Sequence, residues 1–254
     1  MTGAFVCFSA PLQGLVSWQM SELARLCSLF SGKSTFVNVS KDCTAATTDT
    51  LSMLATGTQP NDICLLLIEG ADAELMCLVL AEYVSKHWHL LSTSAFTAAA
   101  NNPLDTPSRF AHPNLRVEGL HTQATQCESL FREIVERVAE KDTSMQAYAA
   151  FMAREAHSST YLGDQVALPH IIDSSVPHPA IIVTRCQPAM TWLNQESVSL
   201  CIAIAIPCDI ERTTLRAISR LSRRLSSFAF RRWLIHCNDI PTQVAMLDAA
   251  LDQD

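Results

Sequence analysis

The sequence predicts an α/β protein of two small domains, each combining a β-sheet with α-helices. The chain of 254 residues is long enough for two domains that each bury a core. Hydrophobic residues make up 48% of it and charged residues 17%, which is typical of folded globular proteins. Strand-like and helix-like stretches alternate along the chain with one interruption. We therefore predict domains at residues 1–90 and 125–254, joined by a linker at residues 91–124.

The first domain is predicted to be a small α+β unit. Short apolar runs bounded by turn residues indicate strands, and apolar residues at helical spacing, such as Met20, Leu23 and Cys27, indicate helices. In chain order, the predicted elements are a strand at residues 5–9, a helix capped by Ser17, a strand at 35–39, a short helix at 50–54, a strand at 63–68 and a helix at 71–86.

The linker is rich in Ser, Thr, Asn and Pro. Pro103, Pro107 and Pro113 prevent any long regular element within it.

The second domain is predicted to be a mixed sheet flanked by helices. Leu130, Ile134 and Val138 have the spacing of an amphipathic helix, and the longest apolar runs read as buried strands. In chain order, the predicted elements are helices at residues 127–141 and 145–154, strands at 165–168, 180–184 and 198–206, and helices at 212–226 and 241–251.

Charge and hydrophobicity argue against several functional classes. The net charge of −7 argues against a nucleic-acid partner. The apolar runs are far shorter than the roughly 20 residues that cross a bilayer, so direct membrane insertion is not expected. The N-terminus has no basic stretch before its apolar residues, which argues against a signal peptide. We therefore expect a cytoplasmic protein.

The ten cysteines are predicted to be reduced residues of the two cores. They are scattered through apolar segments in a chain too large to need disulfides. Neither the cysteines nor the eight histidines show the spacing of zinc ligands. We predict no metal and no cofactor.

The residues best suited to chemistry lie in one stretch, Arg154-Glu-Ala-His-Ser-Ser-Thr-Tyr-Leu-Gly-Asp-Gln-Val-Ala-Leu-Pro-His170. A neutral imidazole nitrogen is nucleophilic near pH 7 and can accept a phosphoryl group. A guanidinium beside it can stabilise the arriving negative charge with charge-assisted hydrogen bonds. Pro169 fixes the backbone just before His170. On the residues alone, a purely structural role for this histidine stays open.

The pattern of this stretch resembles the active-site signature of the fructose, mannitol and nitrogen-regulatory enzyme IIA family of the sugar phosphotransferase system. The resemblance rests on Arg-Glu, Ser-Thr-Tyr-Leu-Gly and Val-Ala-Leu-Pro-His, and it covers residues 125–254. It implies an enzyme IIA fold in which His170 accepts phosphate from phospho-HPr and Arg154 stabilises the charge. It also implies that the hydroxyls of Thr160 and Thr214 bind the phosphate.

Two positions depart from the family pattern. The family usually has a second histidine at the start of the helix after its last core strand, where this chain has Thr214. A threonine hydroxyl can hydrogen-bond a phosphate, but it supplies no positive charge. The small residue that usually follows Pro-His is replaced by Ile171, which is expected to crowd an approaching partner. A domain that keeps the fold but has lost turnover therefore stays open as an alternative.

The first domain resembles HPr, the small histidine phosphocarrier, over residues 1–90. The stretch Gln13-Gly-Leu-Val-Ser-Trp-Gln-Met20 is similar to the Gly-Leu-His-Ala-Arg-Pro-Ala motif of HPr. Val16 stands at the position of the phosphohistidine, and Trp18 stands at that of the arginine. The resemblance implies an open-faced β-sandwich that cannot carry phosphate there. The domain order is similar to that of a multiphosphoryl transfer protein without its enzyme I part.

Two functions follow from these resemblances. In the first, the chain accepts a phosphoryl group on His170 from HPr or another phosphocarrier and passes it to an enzyme IIB for sugar uptake or regulation. In the second, the chain is a non-catalytic adaptor that binds phosphotransferase partners. The sequence indicates neither the sugar nor the oligomeric state.

A basic stripe is predicted along the helix at residues 212–226. Arg212, Arg216 and Arg220 recur every four residues, and Arg223 and Arg224 extend the series. The stripe is interpreted either as a surface that steers an acidic partner or as an ordinary solvated helix face opposite the apolar residues of that helix.

Overall fold

A computed structural model describes residues 3–94, 114–193, 195–237 and 239–252, and these residues form two compact units. The first unit contains the described residues up to 94, and the second contains those from 114 onward. Each unit has one β-sheet with α-helices, which confirms the predicted α/β class.

The first unit is an antiparallel sheet with three helices. Its five strands are hydrogen-bonded in the order β3-β2-β4-β1-β5. In chain order the elements are β1 (Gly3–Ser9), α1 (Ser17–Cys27), β2 (Lys33–Asn38), β3 (Cys43–Ala46), α2 (Thr50–Ala55), β4 (Ile63–Glu69), α3 (Ala73–His87) and β5 (His89–Thr93). The six predicted elements are present, while β3 and β5 were not assigned from the sequence.

Alternate residues of the strands and the inner faces of the helices form the core of the first unit. Phe8 of β1 stacks on Trp88 with ring centroids 4.7 Å apart. The same buried cluster includes Phe36 of β2, Met20 of α1 and Leu80 of α3. Since side chains alternate across a strand, Phe8 and Phe36 reach the helices while their neighbours point to the other face of the sheet.

The second unit is a mixed sheet flanked by helices, as predicted. The sheet order is β6-β10-β11-β8-β7, and β9 also pairs with β11. Strand β10 runs antiparallel to β11 and parallel to β6, whereas β8 and β9 run parallel to β11. The strands are β6 (Arg116–His121), β7 (Tyr161–Gly163), β8 (Val166–Ala167), β9 (His170–Ile172), β10 (Ala180–Thr191) and β11 (Ser197–Ile206). The helices are α4 (Cys127–Val138), α5 (Ser144–His157), α6 (Arg212–Leu225), α7 (Phe228–His236) and α8 (Ile240–Asp252).

The core of the second unit is centred on three aromatic residues. Phe131 of α4 stacks on Phe151 of α5 at 5.2 Å, and its ring meets Trp192 edge-on at 5.8 Å. All three side chains are buried. Aromatic pairs of this kind contribute about 0.5–1.5 kcal/mol beyond the burial of their area. They hold α4 and α5 on the sheet, and α5 then carries Arg154 to its C-terminal turn.

Both ends of the predicted linker belong to secondary structure. Strand β5 extends into residues 91–93 and pairs with β1. Strand β6 pairs with β10, so the second unit starts before residue 125. Both strands mix polar with apolar residues, so their sequence pattern does not distinguish them from the surrounding Ser- and Thr-rich stretch. The three prolines of the predicted linker lie outside the described residues.

Eight of the ten cysteines are buried, as predicted for core residues, whereas Cys43 is half-buried and Cys208 is exposed. All ten are free thiols. Burial raises the pKa of the Cys186 thiol to about 11, so it is protonated and unreactive at neutral pH.

None of the helices within the described ranges is both long and apolar enough to cross a membrane.

Candidate functional site

His170 opens strand β9 and lies against the C-terminal half of β11. It pairs with Ile204 in the parallel register of the two strands. The Ile204 N–H donates to the carbonyl oxygen of Pro169 at 2.9 Å. Since Pro169 has no N–H, it interrupts the hydrogen-bonding pattern between β8 and β9. The predicted strand at 165–168 covers β8, whereas β9 was not predicted. These backbone contacts fix His170 on the sheet.

The imidazole of His170 has a defined tautomer. Its Nδ1 lies 3.0 Å from the carbonyl oxygen of Leu168. A carbonyl oxygen can only accept a hydrogen bond, so we assign the ring proton to Nδ1. The other nitrogen, Nε2, then keeps its lone pair and is the nucleophilic atom of the ring.

Arg154 lies in the last turn of α5 and points its guanidinium at this nitrogen. Its Nε donates to His170 Nε2 at 3.2 Å, and its Nη1 donates to the backbone oxygen of Ser158 at 2.8 Å. A donor at Nε2 agrees with the tautomer assigned from Nδ1. The structure therefore brings together the two residues predicted to form the centre of the site.

Glu155, to which the sequence analysis gave no role, holds the turn that follows α5. Glu155 is only 4% exposed, and its side chain accepts hydrogen bonds from Thr160 and Trp192. The Trp192 Nε1–H donates to Oε1 at 2.8 Å, and the Thr160 N–H lies 3.0 Å from Oε1. A buried carboxylate needs such partners to offset its desolvation. Glu155 thus ties the end of α5 to β10 and to the segment leading to His170.

Thr160, predicted to bind phosphate, contacts Glu155 in this structure. The residue is buried, and its hydroxyl donates to Glu155 Oε2. A hydroxyl has a single proton to donate, and here Glu155 takes it. Thr160 therefore contributes to the site by positioning Glu155, and its contact with phosphate stays a prediction.

Thr214 lies in the first turn of α6 and is 1% exposed. Its hydroxyl has no hydrogen-bond partner among the residues that the structure describes. Leaving such a group unpaired costs about 1–3 kcal/mol. No hydrogen bond joins Thr214 to Arg154 or His170 within the described part of the chain.

Ile171 does not crowd the site as expected. It is 4% exposed and belongs to the core of the second unit. Successive side chains of a strand point to opposite faces, so Ile172 lies on the same side as His170. Ile172 is 65% exposed. An exposed apolar residue therefore stands beside the histidine.

Val16 and Trp18 of the predicted degenerate site lie at the start of α1 in the first unit. Val16 occupies the N-cap position that was predicted for Ser17, and it offers no side-chain hydrogen bond. Trp18 is 57% exposed, and its ring meets that of His87 edge-on at 5.5 Å. Valine has no nucleophilic atom, so this position cannot accept phosphate.

Asp49, in the first unit, is the N-cap of α2. It accepts hydrogen bonds from the backbone N–H groups of Leu51 and Ser52, each at 3.1 Å. A hydrogen bond from the Ser52 hydroxyl also lowers the pKa of its carboxyl. Asp49 thus satisfies the free N–H groups at the start of α2.

Comparison with known proteins identifies the second unit. The family model described as phosphoenolpyruvate-dependent sugar phosphotransferase system, EIIA 2, matches residues 116–248, which is more than half of the chain. The chain therefore belongs to this family of enzyme IIA domains. The match begins at β6, ahead of the predicted domain start at residue 125.

Two curated relatives match parts of the same region. The chain is 32% identical over 121 residues to the PTS system fructose-specific EIIABC component of Bacillus subtilis, covering 46% of this chain and 19% of that protein. It is 28% identical over 108 residues to a nitrogen regulatory protein of Escherichia coli, covering 39% of this chain and 66% of that protein. The chain thus spans less than two thirds of either relative.

Among solved structures, the nitrogen regulatory protein IIA-Ntr from Neisseria meningitidis aligns with 52% of this chain and 92% of its own chain. The sequence identity is 20% and the TM-score is 0.43.

Proposed function

We propose that this chain accepts a phosphoryl group on Nε2 of His170 from phospho-HPr or another phosphocarrier and passes it to an enzyme IIB, serving sugar uptake or its regulation in the cytoplasm. The observation that carries the proposal is the pair of contacts on one imidazole. Leu168 holds the proton on Nδ1, and Arg154 faces the lone pair on Nε2. Membership of the enzyme IIA family supports the same chemistry.

The transfer step needs only groups present at the site. The Nε2 lone pair attacks the phosphorus of the donor phosphohistidine, a new N–P bond forms, and the donor's N–P bond breaks as its imidazole leaves with the electron pair. Arg154 first releases Nε2 and then binds the phosphoryl oxygens with its N–H groups. The proton on His170 Nδ1 stays in place throughout.

The unpartnered hydroxyl of Thr214 supports a phosphate contact at the start of α6. It is buried at the position where the enzyme IIA resemblance places a second histidine. A hydroxyl can give one hydrogen bond to a phosphoryl oxygen, which would satisfy its unmade bond. It carries no positive charge, so we expect transfer to be slower than in a domain with two histidines.

We also propose that the first unit is a relative of HPr that has lost its phosphate site. Its order of elements follows the predicted one, and α1 and α3 pack against an antiparallel sheet, as in an open-faced β-sandwich. Val16 stands where the resemblance places the phosphohistidine. Because it cannot carry phosphate there, we propose that this unit binds phosphotransferase partners.

The test of phosphoryl acceptance is the intact mass of the full chain after incubation with phosphoenolpyruvate, enzyme I and HPr. We expect the mass to increase by one phosphoryl group, which acid removes. His170→Gln should show no increase, because the glutamine amide has no nucleophilic nitrogen. A His157→Gln variant is the matched control, since this exposed histidine lies in the same turn of α5 as Arg154. Phosphorylation that persists in His170→Gln would disprove the assignment.

The adaptor function is the second candidate, and the exposed side chain of Trp18 favours it. A large apolar residue on a surface commonly marks a contact. Leu12 and Leu51, near the starts of α1 and α2, are exposed as well, and α1 packs against α2.

Trp18→Ala should weaken binding of the full chain to its phosphotransferase partner about tenfold or more if this surface docks, because exposed tryptophans often dominate interfaces. Isothermal titration calorimetry of the full chain with purified enzyme I, HPr and enzyme IIB, each in turn, checks this prediction. Leu29→Ala, at an exposed apolar residue just after the other end of α1, is the control. Unchanged affinity for every component would exclude docking through Trp18.

A further inference from the structure

Helix α6 presents a row of arginines that have no counterion in the described part of the chain. Arg212, Arg216 and Arg223 are exposed, and none of them makes a salt bridge or hydrogen bond with a described residue. They lie on one side of the helix, spread over about 16 Å along its axis. We call these three residues the arginine face.

The opposite side of α6 is used by the core. Ala217, Ile218, Leu221 and Leu225 are buried there. Leu215, predicted to join this apolar side, is instead partly exposed beside the arginine face. The helix is therefore fixed in its rotation, and the arginine face cannot turn inward to find partners.

Such an arrangement opposes the stability of the helix. Arg212 and Arg216 are like charges four residues apart, a spacing that destabilises a helix. The whole chain has a net charge of −7, so acidic residues are plentiful elsewhere. At the N-terminal end of α6, the carboxylate of Glu211 already accepts a hydrogen bond from the side-chain amide of Asn114, with Nδ2 and Oε2 3.0 Å apart. An external anionic surface would supply the missing counterions.

The arginine face starts at the end of the sheet that carries His170. Strand β9 runs parallel to β11 with His170 opposite Ile204, two residues before β11 ends. Six residues after that end, α6 begins at Arg212. Ile172 is exposed on the same side of β9 as His170. A protein that reaches His170 through this end of the sheet therefore finds an exposed apolar residue beside the histidine, and the chain enters α6 six residues after β11 ends.

We infer that the arginine face docks the acidic surface of the protein that exchanges phosphate with His170; this rests on the function proposed above. Arginine suits such a contact because its planar guanidinium pairs with carboxylates through two hydrogen bonds. The charges raise the rate of encounter, and two exposed apolar residues, Leu215 on α6 and Ile172 beside His170, provide apolar contact. The partner is thus predicted to combine carboxylates with an apolar patch on its docking surface.

A membrane fits the arginine face less well. A helix that lies on a bilayer buries its own apolar side in the lipid. In α6 that side is already buried in the core of the second unit, where Ile218 and Leu221 lie. The exposed apolar residue of α6 is Leu215, which offers little area for insertion.

The test compares two charge reversals in the full chain, Arg216→Glu on the arginine face and Lys141→Glu as the matched control. Lys141 is exposed and precedes α5, whose first residue lies about 15 Å along the helix from Arg154. Rates of transfer to His170 from phospho-HPr, and from His170 to a fructose-type enzyme IIB, are measured at salt concentrations from about 20 to about 500 mM, which span weak to strong screening. We expect Arg216→Glu to slow at least one of the two transfers about fivefold at low salt, with the difference vanishing at high salt.

Phosphoramidate separates this inference from the proposed function, because it is a small phosphoryl donor that needs no docking. It should phosphorylate His170 equally in the unmodified chain and in both variants. If the unmodified chain accepts no phosphate from any donor, the proposed function and the docking inference both fail. If it accepts phosphate and Arg216→Glu matches Lys141→Glu in both transfers, the docking inference alone is wrong. Selective loss of binding to phosphatidylglycerol vesicles, with transfer unchanged, would instead assign the arginine face to lipid.

Discussion

Replacing Arg154 by glutamine is expected to slow phosphorylation of His170 by about 100-fold or more. The guanidinium is the cation that the structure places at Nε2, the atom proposed above to accept the phosphoryl group. Removal of one preorganised donor at a developing charge typically costs a factor of about 100–1,000 in rate. Glutamine keeps a hydrogen-bond donor but loses the charge. The Nδ1 contact to Leu168 does not involve Arg154, so the histidine should keep its tautomer.

The initial rate of mass increase with phospho-HPr checks this prediction. Arg154→Lys should retain part of the rate, because lysine keeps the charge but not the planar set of donors. Arg132→Gln is the control, since Arg132 is an exposed arginine whose guanidinium lies over the ring of Tyr148. Equal rates for Arg154→Gln and Arg132→Gln would show that the guanidinium does not stabilise the phosphoryl group.

Replacing Glu155 by glutamine should destabilise the second unit by about 3 kcal/mol. Three donors from Thr160 and Trp192 converge on the buried carboxylate. Hydrogen bonds to a charged group contribute about 1.5–3 kcal/mol, and a buried donor left unpaired costs about 1–3 kcal/mol. The glutamine amide turns an N–H₂ group toward at least one of these donors, so their hydrogen bonds cannot all form.

Urea unfolding followed by tryptophan fluorescence measures this loss, because Trp192 itself contacts Glu155. Glu136→Gln, at an exposed position of α4, removes the same charge and should leave the midpoint unchanged. At urea concentrations below the unfolding transition, the ¹⁵N NMR spectrum of the His170 ring should show both tautomers in Glu155→Gln. We expect this because the turn before β9 becomes more mobile when the contacts of Glu155 are lost. Identical midpoints for the two variants would mean that Glu155 does not anchor this turn.

The sequence predicts the elements whose apolar pattern is strong. Strand β11 contains a long apolar run, and α4 has apolar residues at regular helical spacing, so both are found within a few residues of their ends. Strand β6, with the sequence Arg-Val-Glu-Gly-Leu-His, is an edge strand whose pattern is weak. Helix α7 was also missed. It is short, and its buried Arg231 pairs with Asp164, 67 residues away, at 2.7 Å and donates to the backbone oxygens of Leu225 and Ser226.

The two residues proposed to carry the chemistry are close in sequence, whereas the residues that hold them in place are far apart in sequence. Arg154 and His170 are 16 residues apart, and a motif within one stretch predicts both. The support comes from Trp192, 37 residues after Glu155 and separated from it by several strands and turns. Nothing in the sequence near either residue signals the pair, since a glutamate in a helix is usually solvated. The contact of Thr160 with Glu155 was not predicted for the same reason, because it depends on that buried carboxylate.

The carbonyl group of Leu168 bears on how readily a phosphoryl group could leave His170 again. Once Nε2 is phosphorylated, the ring carries substituents on both nitrogens and a positive charge. A carbonyl oxygen binds the Nδ1 proton at 3.0 Å but is far too weak a base to remove it. A carboxylate in its place could take that proton and leave a neutral, more inert phosphoimidazole. The backbone oxygen thus keeps the ring a good leaving group, so that the chain would store the phosphoryl group without trapping it.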